Sequence, residues 1–240
     1  MYTVSEEMIR WASAFALEHG MKLHIHVSET EKENNDCLKA HGMTPTEYLD
    51  SLGVLRPHVI AAHSLWLTDH DVHLMGRNRV NCVHNINSNA KLASGYRFRY
   101  EDLREAGANV CLGTDGASSS NNMDILETMK TTALFQKSVF NNPARLPLTD
   151  LMAAATVDAA RALDLDAGVI REGAIADLSL VDIDNSYFIS PGTFLANLIY
   201  AAHSDVITDV IAQGHFVMRN RVIEGEREIL SEARKVLSQI

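Results

Sequence analysis

Short apolar runs alternate with longer stretches of helical periodicity between residues 5 and 163. The apolar runs predict four strands, at 22–28, 58–63, 79–84 and 109–114. Amphipathic spacing and capping residues predict helices at 5–19, 45–52, 68–76, 100–106, 124–138 and 150–163. Strands that alternate with helices in this way are typical of βαβ units. This part of the chain therefore predicts an α/β fold with a parallel sheet.

The pattern changes near Gly173. Residues 173–184 and 206–223 contain short β-branched runs with glycine and asparagine at the turns, which is typical of antiparallel strands. A charged amphipathic pattern then predicts a final helix. The sequence therefore predicts three parts, with boundaries at 1–168, 169–225 and 226–240.

Each predicted strand of the first part ends on or near a residue that can bind a metal or a proton: His26, His63, His84 and Asp115. Their spacings are comparable with the roughly 30 residues of one strand–helix–strand unit. In a barrel of parallel strands the carboxyl ends of the strands meet at one mouth, and catalytic residues lie there. Glu29 follows the first histidine by three positions and adds a second carboxylate. The set favours a metal-assisted hydrolase.

These residue types suit the activation of water by a metal ion. Histidine nitrogens and a carboxylate around an open position lower the pKa of bound water, and His26 and Asp115 are the candidate ligands. Glu29 is a candidate for moving protons between water and a substrate nitrogen. His63 is a candidate for holding hydroxide or polarising the substrate. Two alternatives stay open. Each histidine could be a hydrogen-bonded core residue, and His24 could chelate a metal with His26, because residues two apart share one face of a strand.

Composition limits the classes of partner. The 240 residues are 46% apolar and 22% charged, which is ordinary for a domain with a hydrophobic core. The net charge of −10 disfavours nucleic acids and anionic membranes as partners. No apolar run approaches the ~20 residues of a membrane-spanning helix, and the first residues do not resemble a signal peptide. The three cysteines predict buried free thiols and therefore a cytoplasmic protein.

The number of strands bears on assembly. A complete barrel has eight strands and roughly 250 residues, but only about four barrel strands are predicted here. Half a barrel leaves two strand edges uncovered, which is a liability for an isolated chain. We therefore expect this chain to form a homo-oligomer or to associate with a complementing chain.

Four motifs occur in the order found in the amidohydrolase superfamily. They are HVSET at 26–30, AAH at 61–63, HNINSNAKLASG at 84–95 and LGTDG at 112–116. Over nearly its whole length the chain most resembles the branch of 5-methylthioadenosine/S-adenosylhomocysteine deaminases and related triazine hydrolases. The resemblance implies an α/β fold made of the C-terminal part of a (β/α)8 TIM-type barrel in residues 1–168 and part of a small β-sandwich domain in residues 169–225.

The resemblance also implies roles for single residues. His26 and Asp115 would bind one divalent metal ion, zinc or alternatively iron, and Asp115 would also act as a base. Glu29 would carry protons to a ring nitrogen, and His63 would contact hydroxide or the departing ammonia. The residues that shape the substrate-binding loop would be His84, Ser88 and Asn89. The implied reaction is hydrolytic deamination of an aminated heteroaromatic ring. The substrate that the resemblance favours is an adenosine-type nucleoside.

The sequence also departs from the family pattern. Family members carry an H-x-H pair of ligands on their first strand, far upstream of the position that matches Tyr2. Ile86 stands where proline is usual, Ala174 replaces a usual lysine, and the serine run at 118–120 is one residue longer. We therefore expect a truncated family member. The alternatives are a non-catalytic remnant that acts through self-association or partner association, and a guanine or triazine hydrolase.

Overall fold

The computed structural model describes residues 4–239, and the chain divides after Gly168 into two compact units. The strands of the first unit are β1 (Leu23–Val27), β2 (Val59–His63), β3 (Asn81–His84) and β4 (Asn109–Leu112). Its helices are α1 (Glu6–Glu18), α2 (Glu31–His41), α3 (Pro45–Ser51), α4 (Asp69–Arg77), α5 (Ile86–Lys91), α6 (Tyr100–Ala106), α7 (Ala117–Ser120), α8 (Ile125–Val139), α9 (Leu148–Ala155) and α10 (Val157–Ala162).

The strands of the first unit form one parallel sheet in the order β1-β2-β3-β4. His26 lies opposite Ala62, Ala62 opposite Val83, and Val83 opposite Cys111. All five residues of β2 are buried, as expected for an apolar central strand of a parallel sheet. The prediction of an α/β fold with a parallel sheet is confirmed.

Side-chain caps fix the beginnings of five helices in this unit. In each case an oxygen of the capping side chain accepts a hydrogen bond from a backbone N–H of the first turn, which would otherwise lack a partner. The capping residues are Ser5, Thr30, Thr44, Thr68 and Asp124. Four of these caps begin helices that the sequence predicts, and the helix positions agree with the prediction within a few residues.

Two features of the helices differ from the prediction. Helices α2, α5 and α7 were not expected, because their segments lack a clear apolar periodicity. The prediction of a single helix over 150–163 is wrong, since the chain forms α9 and α10 with a break at Thr156. The backbone of Thr156 is not helical, with φ −129° and ψ −93°, and its hydroxyl donates to the carbonyl of Met152 at 2.7 Å. Threonine bonds of this kind bend helices.

The second unit contains a small antiparallel sheet, with strands in the order β5 (Leu178–Val181), β6 (Ile207–Ala212) and β7 (His215–Met218). Its helices are α11 (Phe194–Ala196) and α12 (Glu226–Leu237), with 3-10 turns at Ser186–Phe188 and Ser204–Val206 and a π-helical turn at Asn197–Ala201. Of the final helix expected over 226–240, Ile240 lies outside the described residues. Within residues 4–239 no helix has the length and apolar character needed to cross a membrane.

Candidate active site

Left-handed backbone turns orient the side chains at the strand ends. Ser28, His63, Ser64 and Asp115 have φ angles of 51°, 75°, 49° and 59°. Such angles are uncommon outside glycine and cluster at functional sites. In the sheet His63 lies opposite Val27, so alternation alone would place its side chain on the face away from His26. The left-handed turn instead brings the two imidazole rings together, stacked with their centroids 5.2 Å apart.

Hydrogen bonding fixes the ring of His63. The amide of Asn89 donates to Nδ1 of His63 at 2.7 Å, which leaves the proton of the neutral ring on Nε2. This nitrogen lies 4.0 Å from Oε1 of Glu29. Burial lowers the pKa of His63 and outweighs the carboxylate of Glu29, which raises it. At neutral pH His63 is therefore a neutral hydrogen-bond donor facing Glu29, and the two do not form an ion pair.

Two loops and a helix hold Glu29. The hydroxyl of Ser94 donates to Oε1 of Glu29 at 3.2 Å, and the backbone N–H of Glu29 donates to Oε2 of Glu33, on α2, at 2.7 Å. The carbonyl of Ser94 in turn accepts a hydrogen bond from the indole Nε1 of Trp66 at 2.7 Å. The position of the Glu29 carboxylate therefore depends on the loop after β2, which carries Trp66, and on the loop after α5, which carries Ser94.

Asp115 lies just beyond β4 and is held in its ionised form. Its Oδ2 accepts a hydrogen bond from Ser88 at 2.6 Å, and its Oδ1 accepts one from the backbone N–H of Gly116 at 2.8 Å. Burial alone would raise the pKa of this carboxyl, but the hydrogen bonds from Ser88, Gly116 and Ser119 outweigh burial and lower it. An ionised carboxylate with fixed oxygens is suited to binding a cation.

His24, His26 and Asp115 line one cavity of about 490 Å³. The two histidines share a face of β1, as their spacing predicts. Burial lowers the pKa of His24, and the neighbouring His26 lowers it further, so His24 is neutral and able to act as a ligand at neutral pH. Gly113 lets β4 approach the loop after β3 closely, because a Cβ at this position would lie 2.4 Å from Oδ1 of Asn85.

The donors present do not complete a metal site within one chain. Imidazole nitrogens with an ionised carboxylate are a suitable donor set for zinc. However, no group of three or more His, Cys, Asp or Glu side chains in residues 4–239 is arranged to hold a metal ion. β1, which carries His26, and β4, which precedes Asp115, are separated by β2 and β3. The two predicted ligands thus share a cavity, but residues 4–239 do not by themselves complete a metal site.

The residues predicted to shape the substrate loop lie beneath the surface. Ser88 and Asn89 are fully buried and hold Asp115 and His63 through the hydrogen bonds described above. His84 is also fully buried, stacks on Phe98 with ring centroids 4.3 Å apart, and is not among the residues that line the cavity. A part for these three residues in substrate binding stays a prediction.

Sequence reasoning missed the residues that position Glu29. Ser94 belongs to the motif at 84–95, but nothing in the motif indicates that its hydroxyl reaches a residue 65 positions away. Trp66 carried no recognisable signal. The acidic first turn of α2, which includes Glu33 and is capped by Thr30, could have indicated that this helix begins directly after Glu29.

Comparison with known proteins places this geometry in a family. The profile of the amidohydrolase family matches residues 1–217. A 5'-deoxyadenosine deaminase of Methanoregula boonei is 42% identical over 232 residues, which are 97% of this chain and 52% of that protein. A 5-methylthioadenosine/S-adenosylhomocysteine deaminase 1 of Archaeoglobus fulgidus is 40% identical over 243 residues, which cover 100% of this chain and 58% of that protein.

A solved structure shares the fold. The crystal structure of an adenosine deaminase from Xanthomonas campestris with bound zinc matches with a TM-score of 0.94 at 32% identity, over 99% of this chain and 55% of that one. The chain thus spans about half the length of the relatives it matches. On the match over residues 1–217 and on these identities, the chain belongs to the amidohydrolase family.

Proposed function

We propose that this chain carries half of the active site of a hydrolase that removes the amino group from an adenosine-type nucleoside. The observation that carries the proposal is the pair of Glu29 and His63 beside His26 and Asp115. A carboxylate for proton transfer, a neutral hydrogen-bond donor and two metal-type donors meet at the carboxyl ends of parallel strands. Relatives at 42% and 40% identity are deaminases of 5'-deoxyadenosine and of methylthioadenosine and adenosylhomocysteine, which supports this substrate class.

The proposed architecture refines the α/β fold. Residues 1–168 are the C-terminal part of a (β/α)8 barrel, residues 169–225 are part of a small β-sandwich domain, and residues 226–240 are a C-terminal helix. Four parallel strands that alternate with helices support the first assignment, and the antiparallel sheet of β5, β6 and β7 supports the second.

The proposed cofactor is one zinc ion, with iron as the alternative. His26 and Asp115 are the ligands that we assign from this chain, and the bound zinc of the Xanthomonas deaminase supports the choice of metal. Because the donors among residues 4–239 do not complete the site, the roles below are assigned only to side chains of this chain.

Glu29 is the proposed proton carrier. Hydrolytic deamination adds one water across the bond between the ring carbon and the amine, so that a carbonyl forms and ammonia leaves. The incoming water gives one proton to the ring nitrogen beside the reacting carbon, and the proton of the added hydroxyl then passes to the amine, which leaves as ammonia. A carboxylate fixed by Ser94 is able to take the first proton from the water and deliver it to the ring nitrogen. Losing such a group typically costs about 10²–10⁴-fold in rate.

His63 is the proposed donor to the reacting oxygen or the departing ammonia. Its Nδ1 is occupied by Asn89, so its single proton is on Nε2 and faces Glu29. The neutral state that burial imposes lets His63 donate a hydrogen bond without competing with Glu29 for the transferred proton. Asp115, ionised and hydrogen-bonded to Ser88, is assigned as metal ligand and base.

Two alternatives differ in what they predict for turnover. A non-catalytic remnant would keep the fold and associate with itself or a partner without releasing ammonia. A guanine or triazine hydrolase would use the same side chains on another ring. The partners that we propose are a small heterocyclic substrate and a second or complementing polypeptide, with no nucleic acid and no membrane. The three buried free cysteines support a cytoplasmic location.

Ammonia release tests the proposal directly. The purified chain with added zinc is assayed on 5'-deoxyadenosine, methylthioadenosine, guanine and a chlorotriazine. Faster release from the adenosine-type substrates supports the proposal, and faster reaction of guanine or the triazine supports the second alternative. Glu29→Gln should abolish release, whereas Glu31→Gln, the same change two positions away on the exposed start of α2, should not. Equal, negligible rates for all proteins, both alone and after a polypeptide with the N-terminal half of a relative is supplied, would leave the remnant as the function.

A further inference from the structure

A second cavity lies at the amino ends of the parallel strands, at the end of the sheet away from His26 and Asp115. Its volume is about 580 Å³, which is within the range of small-molecule sites. The wall is formed by residues just before or at the starts of the strands, by the end of α1 and by the end of α10. None of these residues takes part in the chemistry proposed above, so that chemistry does not explain them.

Two cationic side chains and an imidazole stand in one row beside this cavity. Lys22 directly precedes β1 and His58 directly precedes β2, and these two strands pair from their first residues. Arg79 lies two positions before β3, and the register of β3 against β2 places it level with His58. On β4 the level position is Gly107, which adds no side chain. Because neighbouring strands are about 4.8 Å apart, the three side chains begin close together.

The lining of the cavity is cationic, although the chain has a net charge of −10. Lys22, Arg79 and Arg161 line it together with a single carboxylate, that of Asp164. Arg161 already donates hydrogen bonds to its neighbours Asp158 and Asn109. Arg79 forms no ion pair or side-chain hydrogen bond within residues 4–239. Its guanidinium is therefore available to a ligand.

His58 has an unused nitrogen beside the same cavity. The residue is only 9% exposed, and its Nδ1 has no hydrogen-bond partner among the described residues. Nε2 lies 3.3 Å from the hydroxyl of Ser13, which is able to donate to it and so leave the proton of the neutral ring on Nδ1. Burial lowers the pKa of His58, and the charges of Arg56 and Lys22 lower it further. A buried donor without a partner, in a positive field, indicates a place where a water or an anion binds.

We propose that this cavity binds an oxyanion of the phosphate type through Lys22, Arg79 and the Nδ1–H of His58. Guanidinium, ammonium and neutral N–H groups are the donors that recognise phosphate oxygens. Apolar side chains at the end of α1 and just after it form another part of the wall, including Leu17 and Met21. The cavity therefore has room for the organic part of a phosphomonoester as well as for inorganic phosphate.

Asp164 now takes the place of such an anion at Lys22. One oxygen of its carboxylate lies 2.7 Å from Nζ of Lys22, and the Asp164 side chain is 70% exposed. Ion pairs with an exposed partner are weak. A phosphate group carries nearly two negative charges at pH 7, so it is able to displace this carboxylate from Lys22.

Phosphate binding by the 240-residue chain tests the site. Isothermal titration calorimetry with inorganic phosphate, at pH 7 and constant ionic strength, should show one site per chain. Arg79→Gln should weaken binding by about 10-fold to 100-fold, as expected for the loss of a hydrogen bond between charged groups. Arg56→Gln is the control, because it removes the same charge from an exposed residue that does not line the cavity. It should change the affinity by less than about 2-fold, since salt screens its charge.

Asp164→Asn provides a test that misfolding cannot imitate. Removing the competing carboxylate should strengthen phosphate binding, by up to about 5-fold. Phenyl phosphate then separates the two sources of the anion. Tighter binding of phenyl phosphate than of inorganic phosphate would identify a phosphomonoester as the ligand, and equal or weaker binding would identify inorganic phosphate.

Binding at the active site is distinguished by His26→Ala, which changes the other end of β1 and should leave phosphate binding unchanged. Loss of binding in this variant would overturn the proposal. Absence of binding by the native chain, or equal weakening by Arg79→Gln and Arg56→Gln, would do the same. The titrations are repeated with a polypeptide that carries the N-terminal half of a relative, and binding that disappears in its presence would also overturn the proposal. A failed deaminase assay would not affect it, because no residue of this cavity is assigned to that reaction.

Discussion

The hydroxyl of Ser94 donates a hydrogen bond to Oε1 of Glu29 over 3.2 Å, although 65 residues separate them in the sequence. The carbonyl of the same serine accepts a hydrogen bond from the indole of Trp66. One loop residue thus links the loop after β2 to the carboxylate that we assign to proton transfer. Because a proton-transferring group must be held close to its productive geometry, the link makes Ser94 a positioning residue.

We expect Ser94→Ala to lower turnover by about 10-fold to 100-fold, the equivalent of one hydrogen bond to a charged group. KM should change little, because Ser94 is assigned no contact with substrate, and zinc content should stay unchanged. Trp66→Phe keeps the aromatic ring but removes the donor, so it should cause a smaller loss of the same kind. Ser179→Ala, on exposed β5, is the control. A rise in KM with unchanged kcat would contradict a positioning role.

Removing the negative charge of Glu29 should affect zinc content and turnover differently from removing the negative charge of Asp115. Asp115→Asn should lower both zinc content and turnover, because this carboxylate is assigned as a ligand. Glu29→Gln should lower turnover by about 10²–10⁴-fold and leave zinc bound, because Glu29 moves protons without holding the metal. Metal analysis after dialysis, beside ammonia release, separates the two outcomes. Loss of zinc from Glu29→Gln would contradict the assigned roles.

The strand ends were predictable because they follow from local pattern. An apolar run that stops at His26 or Asp115 predicts where a strand ends, and strand ends in a parallel sheet meet at one edge. The direction of His63 was not predictable in this way. Alternation along β2 from Val59 places the side chain of His63 on the face of the sheet away from His26. The left-handed backbone of His63, with φ 75°, directs the side chain to the site instead. No residue pattern near His63 indicates a left-handed turn.

Helix α2 was also not predicted, because no local sequence pattern indicates it. Its sequence, EKENNDCLKAH, has only two strongly apolar residues, Cys37 and Leu38, so no hydrophobic periodicity marks it. The helix is specified instead by the cap at Thr30 and by the left-handed Gly42 at its end. Because Glu33 lies in its first turn and accepts from the backbone of Glu29, this polar helix also contributes to the site.

Close packing of α4 against α6 should make Gly76→Ala destabilising. A Cβ at Gly76 would lie 2.2 Å from the carbonyl oxygen of Ala106, and backbone cannot move aside as a flexible side chain can. Alanine gains up to about 1 kcal/mol of helix propensity over glycine, but overpacking typically costs about 1–3 kcal/mol or more. We expect a lower urea midpoint. Gly116→Ala, where the nearest atom is 3.7 Å away, is the control and should leave the midpoint nearly unchanged.

His84 should make the protein less stable in acid. Burial lowers its pKa from 6.5 to about 3, and neither ring nitrogen has a hydrogen-bond partner among the described residues. Because the folded-state pKa lies below the unfolded value, the unfolded chain binds the proton more readily between these two pH values. The stability that neutral His84 provides is therefore complete above about pH 6.5 and falls toward pH 3, by at most ~1.4 kcal/mol per pH unit.

Replacing this ring by a neutral side chain isolates its contribution. His84→Leu loses no hydrogen bond, so at pH 7 its free energy of unfolding should equal or exceed that of the native chain. Between pH 6.5 and pH 4.5 it should lose less stability than the native chain, by at most ~1.4 kcal/mol for each pH unit. His73→Leu, at an exposed position of α4, should keep the native slope. Urea titrations across this range measure both quantities. If His84→Leu kept the native slope, the acid sensitivity would belong to other groups, and the folded protein would bind a proton at His84 as readily as the unfolded chain does.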